Sequence, residues 1–221
     1  MADNRFRFPN GSILELATAF GADKTISAIT NSKPPVATST AHGLADGDIG
    51  LLTSGWSRIN GRGVRVDGSD ANTFELEGLN TTSTTRYPSG KGVGSIKVPT
   101  DWELIDKILE VTTSGGDQQF WTGGFLEDDD DTQIPTTRSP QSMVLTLGDD
   151  PGSDRDEALL DADEGKGVHL LRLTLPTGAF ILYTGYVSYN DNPQMQRSNP
   201  MSTRLTLSLT ARPTRYDLFV S

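Results

Sequence analysis

Between Gly165 and Thr214 apolar and polar side chains alternate residue by residue, and this alternation limits the fold more than any other feature of the chain. Leu205, Leu207 and Leu209 are interleaved with Thr206, Ser208 and Thr210. A helix would scatter such a set around its circumference, whereas a strand sorts it onto two opposite faces. Leu171, Leu173 and Leu175 alternate in the same way with Arg172 and Thr174, and Pro176-Thr177-Gly178 then turns the chain into a second run from Phe180 to Val187. The segment predicts a half-buried antiparallel sheet with leucine toward a core and Thr, Ser and Arg on the other side.

Composition agrees with a β protein. Modest apolar content with abundant Gly, Pro, Ser, Thr, Asn and Asp suits many short strands joined by turns, and 221 residues suffice for one large or two smaller cores. Cysteine is absent, which removes disulfides, thiolate nucleophiles and Cys-ligated metals. No window approaches the roughly 18 consecutive apolar residues of a membrane span. Met1-Ala2-Asp3-Asn4-Arg5 lacks the layout of a secretory signal, so synthesis in a cytoplasm is expected. A formal net charge of -10 argues against a basic groove that captures nucleic acid by phosphate neutralisation. It suits a wall past which DNA moves without sticking.

Along the chain, Ser12 to Phe20 reads as a strand opened by Pro9-Asn10-Gly11 and closed by Gly21. The texture then changes. From Thr25 to about Val98 short apolar runs at Val36–Thr38, Ile49–Leu52, Gly63–Val66 and Phe74–Leu76 recur between Gly- and Asn-containing turns, describing a small β module. Residues 25–98 are read as an insertion into a domain made of residues 1–24 and 99–221. In Asp101 to Val111 two periods compete. Leu104, Ile105, Ile108 and Leu109 suit a helix face, and periodicity alone favours helix there. Gln118–Phe125 and Gln141–Leu147 read as strands around a polar loop from Glu127 to Pro140. Ser153 and Asp156 are spaced as a capping box ahead of Asp154 to Ala162, with acids in the first turn and Gly165 past the end, which predicts a helix of about three turns.

Residues able to do chemistry are few. His42 lies in the turn-like Ala41-His42-Gly43 and His169 in an alternating strand, with no nucleophile elbow and no paired-histidine face, so both read as ordinary strand and turn residues. Gly61-Arg62-Gly63 and Gly90 to Gly94 lack the helix N-terminus that phosphate binding needs. The acidic run Glu127 to Asp131 lacks the spaced ligands and central glycine of a calcium loop. It reads as a solvated, self-repelling loop that would order on meeting Lys or Arg from a neighbouring copy, with Arg138, Arg197, Arg204, Arg212 and Arg215 as candidate counterparts. Trp56, Trp102 and Trp121 form no stacking row with basic residues and read as core or interface anchors. No catalytic residue, metal ligand or cofactor is expected.

Two resemblances join these segments. Glu157-Ala158-Leu159-Leu160, then Leu170 to Gly178, then Gly185-Tyr186-Val187-Ser188, then the strand ending Thr210-Ala211-Arg212-Pro213, resemble the C-terminal half of the major tail tube proteins of long-tailed bacteriophages. In that family a helix bearing Ala-Leu-Leu precedes a strand, a Pro-x-Gly-type turn, a strand with a Gly-aromatic-Val-Ser ending, a long loop and a closing strand. The match covers roughly the last seventy residues well and Trp102 to Leu147 more loosely. It implies a strand, against periodicity, at Trp102 to Val111. Separately, Ile29-Thr30, Pro35 to Thr38, Ala41 to Asp48, Ile59 to Arg62 and Ala71 to Leu76 are similar to a small β module that recurs in phage virion proteins, including tail tube proteins that carry it after their first strand.

The resemblance implies a mainly β fold: a tail-tube β-sandwich or half-barrel with one flanking α-helix, plus an inserted small all-β domain on the outer surface whose deletion would spare the tube. It further implies a structural virion protein, made in the host cytoplasm and located in the tail. Copies would form stacked, hexameric rings, the conduit for DNA ejection, with a tape measure protein and a tail terminator as further partners and DNA passing without sequence-specific binding. A non-contractile, siphovirus-like tail is favoured. The alternative is another virion tail component, a terminator or a receptor-binding adhesion protein. The expected inter-ring contact loop holds Asp128, Asp129, Asp130, Asp131 and Arg138. The expected ring-closing and lumen-lining strands hold Arg172, Thr174, Arg204, Thr206, Ser208 and Thr210.

Overall fold

The fold is described from a computed structural model covering residues 10–127 and 129–217. In chain order the strands are β1 (Ile13–Phe20), β2 (Lys24–Ile26), β3 (Ala28–Ile29), β4 (Val36–Thr38), β5 (Ile49–Ser54), β6 (Arg62–Asp67), β7 (Thr73–Leu76) and β8 (Gly94–Lys97). They continue as β9 (Pro99–Ile105), β10 (Ile108–Ser114), β11 (Gln118–Gly123), β12 (Thr132–Arg138) and β13 (Ser142–Gly148). After the helix α1 (Asp154–Gly165) come β14 (Val168–Thr174), β15 (Phe180–Gln194), β16 (Ser202–Leu209) and β17 (Thr214–Tyr216).

The alternating segment forms the centre of the main sheet, ordered β10-β13-β16-β15-β14-β1-β9, with β17 added alongside the start of β15. Its leucines face one core: Leu145, Leu205, Leu207, Leu14, Leu16 and Leu171 are all essentially inaccessible. One three-turn helix is too small to cover seven strands, so the sheet buries this face by curling on itself. The chain path shows how. Strands β9 and β10 stand at opposite ends of the sheet, yet only Asp106 and Lys107 separate them, with Lys107 in the left-handed region at φ 52°. The two ends of the sheet therefore meet at that corner and splay apart beyond it, which makes a half-barrel.

The helix pins the corner. Ser153 caps it by accepting from the Asp156 amide at 3.3 Å, as the capping-box spacing predicts, and Lys166 closes it at φ 49°. Arg155 is buried, and its guanidinium donates to the Asp106 carbonyl (3.0 Å), the Asp106 carboxylate (3.1 Å) and the Gly148 carbonyl (3.0 Å). Asp156 accepts from the Tyr189 hydroxyl at 2.6 Å and Asp163 from the Tyr189 amide at 3.2 Å, tying the same helix to β15. A charged side chain buried this deeply is tolerated because its two terminal nitrogens are engaged on the two carbonyls and the carboxylate at the corner, while its Nε is left without a partner.

Strands β2 to β8 make a second sheet, ordered β2-β8-β5-β6-β7-β4-β3, around Ile26, Leu52, Trp56, Val66, Phe74 and Ile96. It rests on the main sheet through a cluster that both share: Ile49 meets Ala17, Leu170, Leu182 and Tyr216. A Cβ on Gly63 would stand 2.7 Å from Leu170 and 2.9 Å from Leu182, so β6 approaches the main sheet at backbone distance. Above that contact Arg65 pairs with Glu77 and lies 4.8 Å from the Tyr216 ring centroid, while the Tyr216 hydroxyl accepts from the Arg65 amide (3.0 Å) and donates to the Glu77 carbonyl (3.2 Å).

Four expectations need correction. Residues 102–111 are not helix but the ends of β9 and β10, because the corner at Asp106-Lys107 interrupts two strand periods and leaves a helix-like spacing of apolar residues. The polar stretch 127–140 is not all loop, since Thr132–Arg138 pairs with Gln118–Gly123 as a hairpin. Strand β15 extends to Gln194, across a register shift after Asn190, which shortens the long loop that follows. The chain continues past Pro213 into β17, so β16 is not the last strand.

Candidate functional site

Histidine, the residue type most suited to chemistry at neutral pH, is placed structurally in both instances. His42 is buried edge-on to Phe74 with ring centroids 5.0 Å apart, and its Nδ1 accepts from the Leu44 amide at 3.0 Å. His169 lies against α1 in a recess bordered by Asp154, Glu157 and Asp161, and burial lowers its pKa against a smaller opposing effect from the Ala162 backbone. Among the described residues, no group of three or more His, Asp or Glu is placed to hold a metal ion. No helix of the described residues is long and apolar enough to cross a membrane.

The surfaces that stand out are suited to contact with other molecules. The first is the outer face of the main sheet, which divides in two. On β10, β13, β16 and the end of β15 it is polar, in cross-strand rows: Ser114, Ser142, Ser208 and Tyr186; Thr112, Val144, Thr206 and Ser188; Glu110, Thr146, Arg204 and Asn190. On β9, β1, β14 and the start of β15 it carries Trp102, Ala17, Leu170, Leu182 and Phe180, and here the second sheet covers it.

The second feature is the pair of sheet edges. Strand β10 is exposed along nearly its whole length, including Leu109 and Val111, and has neither lysine nor proline. Natural edge strands are usually blunted by charge, proline or a bulge; β10 has Glu110 and a register shift between Ile108 and Glu110 at its start, and beyond them Val111 to Ser114 offer an open ladder for another strand. The third is the β11–β12 hairpin, which pairs with itself alone. It exposes Phe120 and Trp121 on opposite faces, with Ile134 beside Trp121 and with Phe125 and Leu126 near its tip. An isolated two-stranded ribbon is marginal in water, and apolar side chains so displayed mark a binding surface.

The residues expected from sequence are distributed over these surfaces unevenly. Asp128 lies outside the described residues. Asp129, Asp130 and Asp131 are exposed at the hairpin tip, whereas Arg138 stands at the base, opposite Gln118, donating to the Gly116 carbonyl at 3.2 Å. Arg204, Thr206 and Ser208 fall on the open polar face. Arg172 and Thr174 fall on the covered half, where Arg172 pairs with Glu15 at 2.8 Å and stacks 4.5 Å from the Trp102 ring centroid. Thr210 lies just past β16 and donates its amide to the Thr184 carbonyl at 3.0 Å. Strands β14 and β16 are paired on both sides, so neither has a free edge with which to close a ring. Sequence reasoning missed the β10 edge and Arg58, which reaches the hairpin base from the β5–β6 connection; neither has a local signal.

A family model described as phage tail tube protein, TTP, matches residues 54–218. The chain belongs to the phage tail tube protein family. It is a structural subunit of the virion tail, and membership implies self-assembly into a tube. Two solved structures are similar. One is described as the virion of a native gene transfer agent particle, at 13% identity and a TM-score of 0.38, with 52% of this chain and 88% of that chain covered. The other is described as the tail of an empty gene transfer agent particle with C6 symmetry, again at 13% identity and a TM-score of 0.38, with 54% and 87% covered. No curated protein matches the chain. The tail tube family match begins at Ser54, the last residue of β5, and so takes in β6 to β8 of the second sheet and all of the main sheet except β1.

Proposed function

We propose that copies join side by side through the free edges of β9 and β10 into hexameric rings, and that rings stack through the β11–β12 hairpin into the conduit for DNA ejection. The observation that carries this reading is the coincidence of a free β10 edge, uncharged from Val111 to Ser114, with the open polar rows beside it. Each copy would then contribute its own set of these rows, rich in hydroxyls and amides, to the channel wall, with Arg204 and Glu110 offsetting one another across Thr146. Such a wall in an acidic protein holds few fixed cations for phosphate, so duplex DNA passes without sequence-specific binding. The role needs no catalysis.

In this reading Arg204, Thr206 and Ser208 line the channel. Arg172 and Thr174 instead support the face that carries residues 25–98. In this reading the domain of residues 25–98, which rests on the covered half, lies on the outside of the tube. The channel's other occupant before ejection is a tape measure protein, and a terminator caps the last ring. Negative-stain microscopy of the purified protein tests the whole: rings or filaments of uniform bore are expected. Persistence as a monomer at high concentration would overturn the reading.

A further inference from the structure

In this acidic chain arginines converge at one place. A cleft of about 760 Å³ opens where the hairpin base meets the second sheet and the C-terminal segment, and Arg58, Arg138, Arg212 and Arg215 border it without any carboxylate in its wall. An adjoining recess of about 280 Å³ shares Arg58 and Arg212 and adds the half-buried Arg62. Among the described residues Arg58, Arg138, Arg212 and Arg215 form no ion pair. Four like charges brought together by three remote segments repel one another unless an anion arrives from outside.

The chain carries a matching anion at the other end of the same hairpin. Glu127, Asp129, Asp130 and Asp131 are exposed at its tip, and no cation of the described residues pairs with them. They cannot fill the cleft of their own copy. Register fixes Gln118 opposite Arg138 at the base and Gly123 opposite Thr132 at the far end, so a paired ribbon about 17 Å long separates tip from cleft. The occupant with the right charge and reach is therefore another copy.

We propose that the acidic hairpin tip of one copy seats in the arginine cleft of the next, so that each ring engages the ring above it by the same contact it offers below. The proposal rests on the tail tube reading and names the acceptor for the hairpin. A contact whose two halves lie on different surfaces of one chain is heterologous, and repeated with translation it gives an open filament. Exposed charges also make it sensitive to salt.

Charge exchange tests it in the full-length protein. D129K/D130K/D131K and R58E/R212E/R215E should each raise the critical concentration for filament growth at least tenfold while leaving single rings, as read by sedimentation and negative-stain microscopy. Both sets combined in one chain should restore growth, which a folding defect could not do. An equimolar mixture of D129N/D130N/D131N, which keeps only its cleft, and R58Q/R212Q/R215Q, which keeps only its tip, should give paired rings that grow no further. The proposal is overturned if either reversed chain grows as wild type does, or if the combined chain grows no better than its parents. In both cases stacked wild-type rings would leave the tail tube reading standing. Wild-type protein that forms neither rings nor filaments overturns both. If a short DNA duplex binds wild type at low salt and not R58E/R212E/R215E, while filament growth is unchanged, the cleft is a phosphate site and the proposal falls.

Discussion

Tyr216 shows how much one hydroxyl can join. It stands on the short strand β17, is almost wholly buried, and bridges the Arg65 amide and the Glu77 carbonyl of the second sheet, so burial pushes its pKa up to about 12. Tyr216→Phe keeps the ring under Arg65 but leaves a buried donor and acceptor unmatched, a loss of about 1–3 kcal/mol. Urea unfolding at neutral pH should show that loss. The raised pKa means the folded state holds the phenol proton more tightly than the unfolded chain does. Stability from this group is therefore complete below pH 10 and drains away as pH rises toward about 12, and Tyr216→Phe should flatten that alkaline decline. His169 has the opposite sign. Its pKa is lowered by burial, so the fold prefers the neutral ring, and stability falls as pH drops below 6.5. His169→Gln should lose less thermal midpoint than wild type between pH 7.5 and pH 5.5, with Asp154, Glu157 and Asp161 of α1 unchanged as the facing charges.

At the scale of elements, legibility followed locality. The leucine alternation named β14 and β16 and their faces, and the Ser153 cap named α1, because each signal lies within a few residues. Residues 102–111 misled because a two-residue corner shifts the strand phase: Ile105 and Ile108 both reach the core on strands that do not pair with each other, and their spacing imitates a helix turn. The hairpin tip was legible as charge. The cleft was not, since Arg58, Arg138 and the Arg212–Arg215 pair meet only through tertiary packing. Docking of the second sheet is likewise invisible in sequence until Gly63 is seen against Leu170 and Leu182. Gly63→Val would force β6 off that contact by overpacking, at about 1–3 kcal/mol, and should make residues 24–97 exchange amide hydrogens faster than the main sheet. The same contact bears on deletion of residues 25–98. That change strips cover from Leu170 and Leu182, so the shortened chain should form tubes only once both leucines are replaced by threonine; assembly by the simple deletion would show that this interface contributes little.

For the whole molecule the question is why a well-packed subunit should leave β10 bare. A monomer gains nothing from an exposed strand that ends a curled sheet and risks indiscriminate pairing. A ring gains everything, because each closure satisfies the open ladder groups and removes two edges at once. The curl makes this specific: β9 and β10 leave the pinned corner in diverging directions, so a neighbour can meet only one of them at a time. Val111→Lys places a charge on that edge at a side chain 46% exposed in the subunit. The thermal midpoint of the dispersed protein should stay close to wild type, since little buried area is lost. Ring formation should fail, leaving monomers by sedimentation where wild type gives closed rings. If Val111→Lys rings form at wild-type concentrations, lateral contact runs through a surface other than the β10 edge.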